Sequence, residues 1–293
     1  MSAALSGATL DVGRPVPDDG GRPRRARRPK PRNTLTPGAG LGLGIAMLWF
    51  SLLVLVPLSA IVAAAAAGGW ENYVNVLTDP QTWNALKLTV SQAVIVTLIN
   101  IVMGTVIAWV LVRDQFPGKA VMNVIIDIPF ALPTVVAGLV LLALYGPSSP
   151  IGVHWAFTEK SVALALAFVT LPFVVRAVQP VLEELDADVE EAAASLGARR
   201  GTIFRRIILP SLFPAITAGA ALSFARAISE YGSLVLLSGN RPNETEVASV
   251  RMLTFIENGS YASAAAVASI MLAVALFVIV VLDIVQRRVS RRG

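Results

Sequence analysis

Glu183-Glu184-Leu185-Asp186-Ala187-Asp188-Val189-Glu190-Glu191-Ala192-Ala193-Ala194-Ser195-Leu196-Gly197-Ala198-Arg199-Arg200 opens the longest polar connection between two apolar stretches of this chain, about 183–206. Asp188 and Glu191 have the spacing of a capping box, in which two side chains take up free amide protons of a helix's first turn. Val189, Ala192, Ala193 and Leu196 then fall on one helical face. Gly197 suits the left-handed residue that stops a helix. A second short amphipathic segment follows, with Ile203, Phe204 and Ile207 on one side and Arg199, Arg200, Arg205 and Arg206 exposed. Pro210 marks the start of the next apolar helix. These residues predict a capped, alanine-rich helix lying along a membrane surface. Its small side chains let a partner approach closely, and its charges can set the partner's register. A helix that rests on lipid fits the same pattern.

Outward from this loop the chain turns apolar. Of its 293 residues 55% are hydrophobic and 15% charged, where a soluble domain carries roughly 25% charged residues. Uncharged stretches run over 33–70, 88–112, 128–153, 161–175 and 262–282, and a membrane-spanning helix needs about 20 apolar residues. Helices are expected over 41–67, 83–112, 121–145, 161–182, 208–237 and 262–286. The fold class is an all-α integral membrane protein with about six transmembrane helices and one continuous membrane core over 41–286. Residues 1–40, rich in Gly, Pro and Arg, read as a disordered basic tail, and 287–293 as a short basic tail. The apolar run Leu41 to Ala67 is far longer than the core of a signal peptide.

Charge placement sets the orientation. With the N-terminus in the cytoplasm, the tail, the stretch 113–119, the polar loop and the C-terminal tail hold eighteen basic residues, against Lys160, Arg241 and Arg251 in the opposite loops. Such asymmetry places both termini and the 183–206 loop inside. The same placement removes a nucleic-acid partner, since the basic residues flank apolar spans, and makes the lipid bilayer the surrounding partner. Lys160, Arg241 and Arg251 lie where an extracytoplasmic protein would dock.

The chain has no cysteine and one histidine, His154, which excludes disulfides, thiolate catalysis and a histidine metal cluster. No G-x-x-x-x-G-K-[ST] phosphate loop is present, so a nucleotide driving this protein would be bound by another polypeptide. An intramembrane hydrolase would want histidine or carboxylate clusters at depth, and the lone histidine sits in a loop.

Glu191-Ala192-Ala193, three residues, Gly197, nine residues and Ile207-Ile208-Leu209-Pro210 resemble the EAA loop of bacterial ABC importer permeases, pattern E-A-A-x3-G-x9-I-x-L-P, at every fixed position. The resemblance implies that this cytoplasmic loop is a coupling helix docking on an ATPase subunit, through Glu191, Ala192, Ala193, Gly197, Ile207, Leu209 and Pro210. It extends over about 41–286. The stretches Ile128–Gly138, Pro172–Glu184 and Phe224–Ser233 are similar to the T-type permease subunit of sulfate/thiosulfate importers; Ser229 departs from the glycine of many relatives. The resemblance implies a bacterial inner (plasma) membrane protein with no enzyme activity of its own. Its partners would be a second permease subunit forming a heterodimer with it, two ATPase subunits that bind the ATP and Mg, and an extracytoplasmic sulfate-binding protein. Permeases for another oxyanion such as molybdate share the EAA loop and a similar Arg–Glu helix.

Arg226 and Glu230 stand inside an apolar stretch at i, i+4 spacing, where they can pair on one face. Intramembrane charges face protein or water, so this face is expected either to line the translocation pathway, with Ser229, or to lock two helices. Asp127 is expected to snorkel or to cap. Pro129 and Pro133 are expected to kink the third helix and free carbonyls beside Thr134 to face a cavity. An ion-coupled secondary anion transporter would also suit Arg226 and Glu230, but its paired repeats with broken helices are not evident in the sequence, and it leaves the EAA loop unexplained.

Overall fold

A computed structural model describes residues 37–290, with side chains from Gly38 to Arg288. Their regular structure is helical throughout, and the protein is an all-α integral membrane protein. The chain falls into two units, Met1–Ser51 and Leu52–Gly293. In the first, the described part contains α1 (Pro37–Phe50), whose apolar side chains are exposed. Helix thus begins at Pro37, a few residues before the expected 41. The remainder of the expected N-terminal tail, 1–36, and the last three residues of the C-terminal one lie outside the described residues; 287–290 continue the last helix.

A π-helical turn, Ser51–Leu55, leads to α2 (Val56–Ala67), α3 (Gly69–Thr78), α4 (Pro80–Arg113), α5 (Lys119–Ala131), α6 (Thr134–Tyr145) and α7 (Glu159–Glu183). Next come α8 (Ala187–Ser195), α9 (Arg200–Ile203), a second π turn Phe204–Ile208, α10 (Leu209–Ile228), α11 (Gly232–Leu237), α12 (Ala248–Glu257) and α13 (Tyr261–Ser290). Both π turns stand just before a proline in the first turn of the next helix, Pro57 and Pro210. Proline lacks an N–H and crowds the carbonyl four residues back. Widening the preceding turn reroutes the bonding, as where the Leu209 N–H reaches the Phe204 carbonyl five residues back.

Among the described residues five helices are long and apolar enough to cross a membrane: Gly38–Ala67, Pro80–Arg113, Glu159–Glu183, Arg200–Ile228 and Tyr261–Arg288. The pair Lys119–Ala131 and Thr134–Tyr145, bent by 116°, makes a sixth if taken as one broken span. The expected kink at 121–145 is therefore a full break. Leu132, ahead of Pro133, is extended (φ −85°, ψ 134°), as a residue before proline prefers, and α6 restarts with the Val136 and Ala137 N–H groups on the Pro133 carbonyl. Pro129 stays inside α5. The expected helix 208–237 is also broken, at Ser229–Tyr231, so broken helices are present although the sequence does not display them. α3 and α12, ten residues each, are short helices in the connections.

α4, α7 and α10 form the centre. Val174 sits between two glycines: a Cβ on Gly104 would come within 2.8 Å of the Val174 side chain, and one on Gly219 within 2.9 Å of its Cα. Small residues let membrane helices approach this closely. One turn away, the buried Asn100 amide donates to Thr170 Oγ1 (2.7 Å) and Ser223 Oγ (3.2 Å), joining the same three helices. Apolar clusters lie on either side, one with Val96, Leu166 and Phe224, the other with Leu111, Val178 and Leu212. At the start of α4, Asp79 Oδ2 accepts from the Thr82 N–H and hydroxyl and from Arg251 of α12 (3.0 Å). Arg251 also lies 4.4 Å from the Phe255 ring centroid. Arg251, expected where an extracytoplasmic protein would dock, is a structural tie between α12 and the start of α4.

Candidate functional site

The polar loop folds as two helices with defined ends. Asp186, not Asp188, is the N-cap of α8: its Oδ1 accepts the Asp188 N–H at 3.0 Å, and Asp188 lies in the first turn with Glu190. The other end is a Schellman motif, with the Ala198 N–H on the Ala193 carbonyl (3.1 Å) and the Gly197 N–H on that of Ala194 (2.9 Å). Gly197 has φ +84°, so a residue with a Cβ there would be strained. The expected apolar face splits. Ala193 packs into the core cluster, while Val189 and Leu196 are 50% and 88% exposed. Glu191 and Ala192 are exposed beside them.

After Gly197, α9 turns the chain back toward the bundle. Ile203 and Ile208 are buried, and Ile207 and Leu209 half-buried against the same cluster. Phe204 stays partly accessible and meets Trp109 of α4 edge-on, centroids 5.8 Å apart. Arg199, Arg200, Arg205 and Arg206 are exposed; three of them, with Gly201 and Thr202, line an open groove of about 500 Å³. Pro210 stands in the first turn of α10.

The second group of expected residues meets where the two broken helices touch. A Cβ on Gly232 would lie 2.1 Å from Thr134 Oγ1, and one on Gly138 would lie 2.6 Å from the Ser233 carbonyl oxygen. The starts of α6 and α11 are therefore in backbone contact, and Thr134, just after Pro133, meets Gly232, two residues after Glu230. The Glu230 carboxylate is 1% exposed. Its Oε2 lies 2.5 Å from Arg226 Nη1, while Oε1 accepts the Ser233 N–H (2.9 Å) and hydroxyl (2.8 Å). One carboxylate thus ties the last turn of α10 to the first turn of α11. The pair bridges a helix break and is not the continuous helical face that its spacing suggested. Arg226 keeps 30% of its side chain accessible. Ser229 is exposed, its hydroxyl on the Arg226 carbonyl (3.2 Å), beside a pocket of about 310 Å³ that includes Ser249, Met252 and Met271. Close helix contact falls at Gly232, so a serine at 229 does not impede it.

Two charge pairs escape a reading of the sequence. Arg176 of α7 engages all five N–H donors: Nε and Nη2 fork onto Asp127 (2.8 and 2.7 Å), and the remaining protons go to the Asn123 side chain and carbonyl and to Gln179. Asp127 is thus the partner of a bidentate brace from α5 to α7; it neither snorkels nor caps. Both charges stand out among apolar neighbours, but they are 49 positions apart, and nothing local pairs them. Arg113, the last residue of α4, forms an ion pair with Glu190 of α8 and lies 5.5 Å from the Trp109 ring centroid. Among the described residues no cluster of three or more histidines and carboxylates could hold a metal ion.

Known proteins resemble this chain in sequence and in fold. Residues 100–292 match the family model described as binding-protein-dependent transport system inner membrane component. The sulfate transport system permease protein CysT of Salmonella typhimurium is 41% identical over 263 residues, 87% of this chain and 95% of that protein. Its namesake in Escherichia coli is 41% identical over 264 residues, 87% and 95% of the two chains. The one in Synechocystis is 39% identical over 248 residues, 82% and 87% of the two. A bacterial ABC transporter involved in importing the acidic polysaccharide alginate has the same fold (TM-score 0.71, 18% identity, 85% of this chain and 94% of that one). These matches favour a component of a binding-protein-dependent transport system over an ion-coupled secondary transporter. By the extent of these matches, the chain belongs to the family of inner-membrane components of binding-protein-dependent transport systems.

Proposed function

We propose that this chain is the membrane-spanning permease subunit of an ATP-driven importer of sulfate and thiosulfate. In this reading it forms the translocation pathway with a second permease subunit. Two ATPase subunits, which bind the ATP and Mg, dock at α8. An extracytoplasmic sulfate-binding protein delivers the anion at the α3–α12 end, and both termini lie in the cytoplasm. The chain itself catalyses no bond chemistry. The substrate is supported by the relatives, which carry the name of sulfate permeases at about 40% identity over most of the chain.

The observation that carries the coupling role is the outward face of α8. A helix capped at both ends presents Leu196, 88% exposed, with Val189, where a helix that merely finished the fold would turn them inward. Glu191, Ala192 and Gly197 shape that surface, Ala193 seats α8 on the core, and Ile207, Leu209 and Pro210 anchor it to α10. ATP binding draws the two ATPase subunits together and moves α8, and each permease half follows as a near-rigid body in alternating access. Along the pathway, Arg226 offsets the charge of the dianion, Glu230 holds the arginine in place, and Ser229, Thr134 and Pro133 shape the junction between the broken helices.

Sulfate uptake in cells lacking this gene tests the reading. The wild-type chain restores uptake. Leu196→Asp inserts normally, since the side chain it replaces is exposed, but fails to restore uptake and no longer retains the ATPase subunits on purification. Full uptake by Leu196→Asp would remove α8 as the docking element. No sulfate defect in the deletion strain, with other sulfate transporters absent, would exclude sulfate as the substrate.

A further inference from the structure

Resting on the coupling role proposed for α8, we infer that Arg113 is the positioning residue through which movement of α8 reaches the membrane core. α8 is sparsely held. Its main packing is on α9, its neighbour in sequence, and Ala193 is its one side chain in the apolar core. Among the described residues, the one side-chain bond leaving α8 for a membrane span is Glu190 to Arg113. Force on α8 that does not pass along the chain itself therefore passes largely through this pair.

Arg113 is placed to receive it. It ends α4, a single helix of 34 residues, about 51 Å long at 1.5 Å per residue. α4 packs along α7 and α10, is joined to both at Asn100, and holds Arg251 of α12 through Asp79 at its far end. A displacement at Arg113 thus loads a stiff element that touches every central helix and the opposite surface. Arg113 also lies over Trp109, which meets Phe204 at the start of the π turn ahead of α10. The guanidinium thereby links α8 to α4 and, through Trp109, to the turn that leads into α10.

Arg113 and Arg176 differ in how they are held. Arg176 spends every donor on fixed partners. Arg113 has one carboxylate oxygen as its hydrogen-bond partner, and its Nε is buried without one. A single contact over a ring face can pivot while staying closed, as a joint must.

The test uses the full complex, with its ATPase subunits and binding protein, in proteoliposomes. Sulfate uptake and ATP hydrolysis are read from the same vesicles. Arg113→Ala keeps the ATPase subunits bound and hydrolysing, while uptake per ATP falls roughly tenfold, the scale of losing one partner of a half-buried charge pair. Arg113→Lys recovers part of the ratio. Arg113→Glu and Glu190→Arg each lower it, and the double charge swap restores much of it. Unchanged uptake per ATP in Arg113→Ala overturns the inference, as does loss of ATPase binding in that variant, which would make Arg113 part of the docking surface. If the single variants fail to insert, a double swap no better than either one overturns it too. A wild-type complex that binds no ATPase subunits would instead overturn the coupling role of α8, and this inference with it.

Discussion

Replacing Glu230 by alanine should unfasten the junction of α10 and α11. Two losses combine. Removing one partner of a buried ion pair costs about 3–5 kcal/mol, because the other charge is left uncompensated. Arg226 keeps 30% of its side chain accessible, which moves the figure to the lower end. The Ser233 N–H also loses its acceptor, worth about 1–3 kcal/mol when the group is buried. Since one carboxylate serves both, the effects overlap, and we expect a total of about 3–5 kcal/mol. Glu230→Gln keeps an oxygen for Ser233 and should cost about half as much. Arg226→Ala with Glu230→Ala leaves no orphan charge and should be less destabilised than Glu230→Ala alone. Unfolding in mixed micelles of rising SDS fraction gives these differences directly. Glu230→Ala within about 0.5 kcal/mol of wild type, or a double variant worse than the single one, would refute the idea that this carboxylate holds the break together.

Gly138→Ala places a methyl carbon 2.6 Å from the Ser233 carbonyl oxygen and should cost about 1–3 kcal/mol as overpacking; Gly201→Ala, with open space around it, should stay within about 0.5 kcal/mol in the same assay. For Asp79, burial is the largest single influence and pushes the carboxyl pKa up, but the hydrogen bonds from Thr82 and the charge of Arg251 together outweigh it and leave the pKa lowered. The ionised carboxylate therefore stabilises the fold above its unfolded pKa of about 3.9, and that contribution disappears as pH falls through the lower folded value. Thermal midpoints of wild type and Asp79→Asn should differ steadily between about pH 5 and 8, and the difference should shrink progressively as pH falls below about 4; a gap that stays constant down to the acid limit of the fold would argue against it.

The helical class, the membrane spans and the position of the α8 loop were legible in the sequence, because each rests on local composition. A run of apolar residues long enough for a bilayer needs no knowledge of its neighbours, and Gly197 marks its left-handed stop within six residues of Glu191. The N-cap was misplaced by two residues because Asp186 and Asp188 are chemically equivalent caps, and packing chose between them. The residues at the junction of the broken helices were also conspicuous in the sequence, since Arg226, Glu230 and Pro133 stand in apolar surroundings. What they build was not. The 116° break at Pro133, the second break at Ser229–Tyr231, and the contact of Thr134 with Gly232 depend on one another across nearly a hundred residues. The partners of Arg176 and Arg113 are likewise set by which helices lie side by side. Apolar length and terminal chemistry are properties of a segment, and the sequence alone determined them. Where a buried charge finds its counterion, and where a helix breaks to let two backbones touch, is decided only when the helices pack, because the cost of an unpaired charge or a clashing Cβ exists only between segments.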